Sequence, residues 1–466
     1  MFTYSMKIKE NRWLLIAIVI GSFFNSFMSS SLNIAMPVIN AQYQVGVAQV
    51  AWISKSFLLA SAIGLLLAGW IADRYGRRRT FLMGNIIFGL VSLLIVISSG
   101  FYTVVVLRFF QGLGSSMIMA SAPALIASAF EASRRGFVLG IQTTFTYIGL
   151  SLAPLLGGLL TQLLGWKSLF VFNFIFTTIA LCIMFFGVKK EWKNTKETPF
   201  DLYGYIIFVI AIVGIVLALD CMNRYSLIGI SISLLAGYAF IVYERSKDHP
   251  FISIPFLQKN SYFRNSVLAA LINYATTFAI SYVLSLYLQN IRGMSPLAAG
   301  LILCFQPMMM ALFSAYAGHL SDKHNPGEIA SYGMAIISVA LFAIGFLVSK
   351  TFSIYYLALL LAILGLGFAL FSSPNTNAVM SSVDASSYGF ASSFLAFSRL
   401  FGQFISMALA SGLILLINNT KVNMLGNEGL LLATKIAFVI FGLLSAFGVY
   451  LSYQRVSVKP ADSANR

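Results

Sequence analysis

Charge is what this sequence has least of: 9% of its 466 residues are charged, and only 14 are Asp or Glu. A soluble domain carries nearer a quarter, so most of this chain's surface is built to meet something other than water. Cysteine is almost absent. Cys182, Cys221 and Cys304 are scattered and fall mostly within apolar runs, which excludes a disulfide framework or a thiolate metal cluster. No GxxxxGK[ST] phosphate loop occurs, so the chain has no nucleotide-driven motor of its own. Any work it performs draws on a gradient, a partner subunit or the downhill flow of a solute. No nucleophile, acid–base pair or metal cluster gathers in the apolar runs, which makes an enzyme the poorest fit, and no cofactor is implied. No long soluble segment is present either, which disfavours a sensor or scaffold.

What is abundant is apolar length. Hydrophobic residues make up 59% of the chain and the mean hydropathy is +0.87. The runs long enough to cross a bilayer as helices number about fourteen, near 13–38, 48–71, 80–99, 101–128, 136–161, 166–188, 203–221, 225–243, 263–291, 295–319, 328–349, 352–380, 387–417 and 430–452. The fold class expected is an all-α polytopic membrane protein. Trp13–Val38 is too long for a signal peptide and lacks a small-residue cleavage site, so it reads as the first span. The net charge of +16 sits in short loops, which points to membrane topology and excludes nucleic acid as the partner. With the N-terminus inside, twenty-one Lys and Arg fall on the cytoplasmic side and five (Lys167, Arg224, Arg292, Lys350, Lys421) on the outer side. Both termini are therefore expected in the cytoplasm.

The segment Gly69-Trp70-Ile71-Ala72-Asp73-Arg74-Tyr75-Gly76-Arg77-Arg78-Arg79 joins the second and third runs. Four arginines and an aspartate cannot enter hydrocarbon cheaply, so this is a tight basic loop. Gly69 would let a neighbouring helix approach, and Asp73 could stabilise another helix's N-terminus. Gly318-His319-Leu320-Ser321-Asp322-Lys323 restates its opening 249 residues later, placing Asp322 opposite Asp73. Such a repeat predicts two six-span halves, 13–188 and 263–452, around two inserted spans at 203–243, with a cytoplasmic tail at 453–466; the solute path lies where the halves meet. The loop resembles the signature of the major facilitator superfamily of secondary transporters. The resemblance implies a conformational latch made of Gly69, Asp73, Arg74, Gly76, Arg77, Arg78 and Asp322.

Further strings extend the resemblance over nearly the whole chain. Arg108-Phe109-Phe110-Gln111-Gly112 is similar to the family's R-x-x-Q-G element, which marks Arg108 and Gln111 as coupling candidates. Arg108 lies about 10 Å into its helix, and snorkelling outward is the competing reading. In the fifth span Gly149, Ala153, Pro154, Gly157 and Gly158 resemble the G-x-x-x-G-P-x-x-G-G run of exporters, with Ala153 as a departure; ordinary small-residue packing is the alternative. Gly165–Asn173 and Gly365-Leu366-Gly367 through Pro374-Asn375 are similar to the fourteen-span drug:proton antiporters. The resemblance implies export of small amphipathic molecules, drugs or metabolites, by alternating access in the cell membrane. Protons and membrane lipids would be the other partners, and the protein would act as a monomer.

The first span departs from that branch. Its string ends in Asn33-Ile34-Ala35-Met36-Pro37, but the position usually acidic is Met28. A membrane carboxylate is what would hold a cation when ionised and release it when protonated. The interior holds positive charge instead. Arg399 lies about 18 Å along a helix starting near 387, too deep to snorkel easily, and needs carbonyl oxygens, water or an anion. A neutral or anionic solute is therefore an open alternative. Lys55 and Lys435 lie nearer the surface and read as snorkelling. Asn25, Asn33, Gln142, Tyr147, Asn273, Tyr282, Gln306 and Gln403, with Met28, are candidates for the cavity or for interhelical hydrogen bonds. His319, Asp322 and His324 have a metal-like spacing but no fourth partner, and solvated loop residues are the plainer reading.

Overall fold

The computed structural model describes residues 2–193, 200–221, 225–247, 254–383, 388–420 and 427–455. Of these, the side chains of 2–10, 132–137, 217, 219–221, 225, 254, 322, 388–389 and 418–420 are excepted. Among the described residues there is no strand. The helices are α1 (Phe2–Tyr43), α2 (Val47–Val50), α3 (Trp52–Tyr75), α4 (Arg77–Ile97), α5 (Phe101–Ala129), α6 (Ala132–Leu164) and α7 (Ser168–Gly187). Then come α8 (Leu202–Cys221), α9 (Tyr225–Arg245), α10 (Ile254–Lys259), α11 (Ser261–Thr277) and α12 (Ile280–Leu286), which runs into a π-helical turn at Tyr287–Ile291. The rest are α13 (Pro296–Leu303), α14 (Phe305–Lys323), α15 (Pro326–Leu347), α16 (Ile354–Ser381), α17 (Tyr388–Thr420) and α18 (Asn427–Gln454).

This all-helical outcome follows from composition. Apolar runs placed in lipid must satisfy every backbone polar group within the run, and the helix does so. Among the described residues, thirteen helical segments are long and apolar enough to span a membrane. The expected fourteenth, 203–221, coincides with α8, whose described apolar stretch is Leu202–Val216. Pro296 and Pro326 start α13 and α15, where a missing N–H costs nothing. Among the described spans, Val47–Tyr75, Ser261–Ile291 and Pro296–Ser321 are each interrupted, at Ala51, between α11 and α12, and at Cys304. Between α11 and α12 the Phe278 amide still donates to the Tyr274 carbonyl, but the Ala279 amide leaves the ladder and donates to the Ser406 hydroxyl of α17 at 3.0 Å.

Two compact units result, and neither is a simple half of the sequence. The first takes residues 1–197, 281–312 and 353–365; the second takes 198–280, 313–352 and 366–466. In the first, α1 packs along α6 and α7, α5 along α3 and α4, and α6 along α13. In the second, α15 packs on α18, and α11 on both α17 and α18. There α8 pairs with α9 and also reaches α17, where Phe208 meets Phe397 at 5.2 Å between ring centroids.

Candidate functional site

The basic loop folds around one glycine. Gly76 has φ +119°, a conformation costly for any side chain, and a Cβ there would stand 2.5 Å from the Glu191 carboxyl carbon. That carboxylate accepts from the Arg78 amide at 2.8 Å and the Arg79 amide at 3.1 Å, so it closes the N-terminus of α4. The Arg77 amide donates to the Trp192 carbonyl at 2.8 Å. The role expected of Asp73 is thus filled by Glu191. Asp73 instead pairs with Arg77 one turn on, at 2.8 Å, and Arg77 also donates to the Ala124 carbonyl and the Ser128 hydroxyl of α5. Arg74 lies over the rings of Trp70 and Tyr75, and Arg78 donates to the Phe185 carbonyl. Around Gly69 a Cβ would meet nothing within 4 Å, so the close approach expected there occurs at Gly76. At the other end of α4, Lys167 donates to the Val96 and Ser98 carbonyls at 2.9 and 2.6 Å. An anion and a cation, both from the flanks of α7, therefore match the two ends of the α4 dipole. The side chain of Asp322 lies outside the described residues.

Arg108 does not snorkel. It is fully buried, stacked over Phe57 at 4.2 Å, with Nε donating to the Ile53 carbonyl at 3.1 Å. Nη1 donates to Gln111 at 2.5 Å, and Gln111 and Asn173 both donate to the Ser92 hydroxyl, at 2.6 and 2.8 Å. This chain ties α5 to α3, α4 and α7. One carbonyl and one amide oxygen accept from this deep charge and the Phe57 ring lies over it, while Nη2 has no partner among the described residues.

The glycine-proline run of α6 meets its own mirror. A Cβ on Gly158 would lie 2.5 Å from the Pro296 carbonyl oxygen of α13, and a Cβ on Gly300 would collide with the Pro154 carbonyl of α6. Each helix presents Pro-x-x-x-Gly, and each glycine receives the other's proline. Gly149 sits against the Phe23 carbonyl, 2.5 Å from a Cβ, and Gly157 against Ser31; Ala153 is fully buried. Backbones this close leave no room for side chains, so the α6–α13 contact is a tight seal.

Several cavity candidates are committed to other helices. Asn25 accepts from Ser115 at 2.7 Å, Asn33 from Ser54 at 3.4 Å, and the Tyr282 hydroxyl donates to the Val47 carbonyl at 2.6 Å. Met28 is fully buried, and Gln306 is buried with its carbonyl against Gly365. Gln142 is half-buried and donates to Ser22 at 3.2 Å; Tyr147 and Gln403 are half-buried. Asn273 is fully buried, and neither atom of its amide has a hydrogen-bond partner among the described residues. Beside it on α11, Tyr274 has its ring centroid 5.7 Å from the guanidinium carbon of the half-buried Arg399 and meets Phe368 edge-on at 5.2 Å. Arg399 Nη2 donates to the Thr376 hydroxyl at 2.5 Å, while its buried Nε has no partner among the described residues.

Two residues that carry this architecture do not stand out in the sequence. Glu191 sits in a charged connector, and Arg455 among the basic residues of the tail. Arg455 is fully buried and gives Nε to the Ser452 carbonyl at 3.1 Å and Nη2 to the Ser452 hydroxyl at 2.8 Å. Its Nη1 donates to Ser266 at 2.9 Å and to Asn375 at 2.5 Å. The Asn-Pro-Gly at 325–327, which starts α15 beside it, is the one sequence signal nearby.

Spans joined by short loops, a latched basic turn and polar side chains committed between helices define a polytopic membrane protein. The comparisons with known proteins place it further. The family description "Major Facilitator Superfamily" matches residues 18–407 and 266–465, and the chain belongs to that superfamily. It is 31% identical over 398 residues to the riboflavin transporter RibZ of Clostridioides difficile, covering 84% of this chain and 85% of that one. It is 27% identical to the multidrug resistance protein Stp of Mycobacterium tuberculosis, over 85% of this chain and 74% of that one. It is 26% identical to the tetracenomycin C resistance and export protein of Streptomyces glaucescens, over 81% and 71%. A peptide transporter solved with sulfate shares the fold, with a TM-score of 0.69 at 16% identity over 96% of this chain and 94% of that one. The chain is a transporter and not an enzyme, and its relatives include a riboflavin transporter, a multidrug resistance protein and an antibiotic resistance and export protein.

Proposed function

We propose that the chain is a secondary active exporter that moves small amphipathic molecules out of the cell by alternating access, driven by protons. It would act as a monomer in the cell membrane with both termini cytoplasmic, built from halves 13–188 and 263–452 with an inserted pair at 203–243. The observation that carries this reading is the reciprocal Pro154–Gly300 and Pro296–Gly158 contact. It gives the exporter-type run of α6 a physical task, a backbone seal that excludes both water and solute. The resistance and export proteins among the relatives support the direction. The Lys and Arg distribution supports the orientation.

A second reading is favoured by the riboflavin transporter among the relatives: a carrier dedicated to one metabolite, with drug movement incidental. Everted membrane vesicles test both. Acidifying the vesicle interior is expected to drive accumulation of riboflavin or of a drug dye, and a protonophore is expected to abolish it. Vesicles that accumulate neither compound would remove the exporter reading. Accumulation of riboflavin alone, uncompeted by drugs, selects the dedicated carrier.

A further inference from the structure

Arg399 stands in the interior of the second unit with no carboxylate partner among the described residues. It is the tenth residue of the apolar segment Phe390–Ile417, about 13 Å from its nearer end. A bare guanidinium at that depth is expensive, and it persists only where something balances its charge. The surroundings hold it without balancing it. The guanidinium carbon lies 5.7 Å from the Tyr274 ring centroid, and Thr376 accepts from Nη2 at 2.5 Å while giving its own proton to the Ser372 carbonyl at 2.8 Å. A guanidinium is planar and holds its N–H donors in a fixed fork. The edge formed by Nε and Nη2 is the one that grips two oxygens side by side, and Nε on that edge is unpartnered among the described residues. One residue before Tyr274, both side-chain amide atoms of Asn273 lack a partner among the described residues, and five residues after Tyr274 the Ala279 amide leaves the helical ladder. In transporters, interrupted spans near mid-membrane are where solute is held.

We propose that Arg399, held on Tyr274 and braced by Thr376, is the subsite for a delocalised oxyanion, so that the cargo is a flat amphipathic organic acid rather than a cation. This rests on the reading of the chain as an exporter and names its substrate class. It also accounts for Met28 standing where a carboxylate would serve a cationic cargo: an anion needs none.

The test measures binding to the purified full-length protein in detergent, with fluorescein as the planar anion and ethidium as the planar cation, each followed by fluorescence anisotropy. The expected result is fluorescein binding at least tenfold tighter than ethidium. Arg399→Gln weakens fluorescein tenfold or more and leaves ethidium within twofold. Arg399→Lys recovers less than half of that loss on a logarithmic scale, because an ammonium lacks the fork. Thr376→Val, which keeps the cation but frees its brace, weakens fluorescein about threefold and keeps the test decisive if Arg399→Gln does not fold. Fluorescein binding unchanged by both variants overturns the proposal. So does an equal loss for both dyes, which marks Arg399 as a packing residue. Failure of the exporter reading looks different. Wild-type protein that binds fluorescein yet fails to move it across proteoliposomes under a proton gradient would end that reading and leave the anion subsite standing. Protein that moves ethidium but does not bind fluorescein does the reverse.

Discussion

In each unit one long helix begins beside the end of another, α4 beside α7 in the first and α15 beside α18 in the second, with opposite chemistry. In the first unit α4 starts at Gly76, and just beyond α7 the Glu191 carboxylate closes its first amides at 2.8 and 3.1 Å. In the second unit α15 starts at Pro326-Gly327, and just beyond α18 the Arg455 guanidinium lies 3.4 Å from a Cβ placed on Gly327. A cation cannot cap a helix N-terminus, and α15 does not ask it to. Asn325 accepts from the Gly327 amide at 2.9 Å, and Glu328 stands in the first turn. Freed from capping, Arg455 reaches inward and ties α18 to Ser266 of α11 and Asn375 of α16. Both corners bring two helix ends together, and each supplies its own electrostatics. One corner is a capped surface turn, the other a buried staple.

The largest way to break this comparison is to remove the staple. Arg455→Met removes a buried cation and its four hydrogen bonds, and takes away the donor that the Ser266 hydroxyl and the Asn375 side-chain carbonyl accept from. The expected loss is about 3–5 kcal/mol, read as a lowered thermal midpoint of the purified protein. A loss under about 1 kcal/mol would show that Arg455 is solvated and that the corners differ only on paper. The glycines come next. Gly76→Ala forces a side chain into φ +119° and against Glu191, at an expected cost of about 2–3 kcal/mol. Gly327→Ala meets only Asn325 at 3.1 Å and the Arg455 side chain at 3.4 Å and is expected to cost less than about 1 kcal/mol. Equal costs would mean that Gly76 is not the hinge of its corner.

The spans of both corners could be read from sequence because hydropathy is a property of a single run, and a run of some twenty apolar residues has few places to go but lipid. The partners could not. Glu191 and Arg455 look like charged connector residues, since nothing along the chain says that a residue past one helix will lie against the start of another. For the same reason the close approach was expected at Gly69, whose neighbours are open, rather than at Gly76, where the turn and Glu191 meet. The α6 run was legible as a packing helix, but its partner, Pro296-x-x-x-Gly300, is a short string with meaning only once the two proline carbonyls face the two glycines. Arg399 was legible as an interior cation, whereas for Arg108 the sequence left outward snorkelling open. What distinguishes them is tertiary: Arg108 is fully buried and joined through Gln111 to Ser92 and Asn173, whereas Arg399 is half-buried and donates to Thr376.

The caps sharpen the comparison with smaller effects. Glu191→Gln keeps the size of the cap and removes its charge, so the loss is the charge–dipole part, about 0.5–1 kcal/mol. Asn325→Ala removes a neutral cap and is expected to cost about 1 kcal/mol. The two differ in their response to salt: raising ionic strength should shrink the Glu191 effect and leave that of Asn325 unchanged. If both fade with salt, the corners are not chemically distinct.

The smallest expected effect is no effect at all. Burial pulls the Arg455 guanidinium down to about 10, still well above neutrality. Between pH 6 and 9 it is charged in the folded and the unfolded chain alike, so the two states bind the same number of protons at this site and its contribution to stability is flat. Only above about 10, where the folded state gives up the proton before the unfolded one, does the sign emerge: burial becomes less costly and wild type gains relative to Arg455→Met as pH rises. The difference in thermal midpoint between the two proteins should therefore hold constant across pH 6–9. A difference that grows or shrinks within that window would mean that another group titrates against Arg455, and the neutral cage of Ser266, Asn375 and Ser452 would no longer explain how the second corner holds its charge.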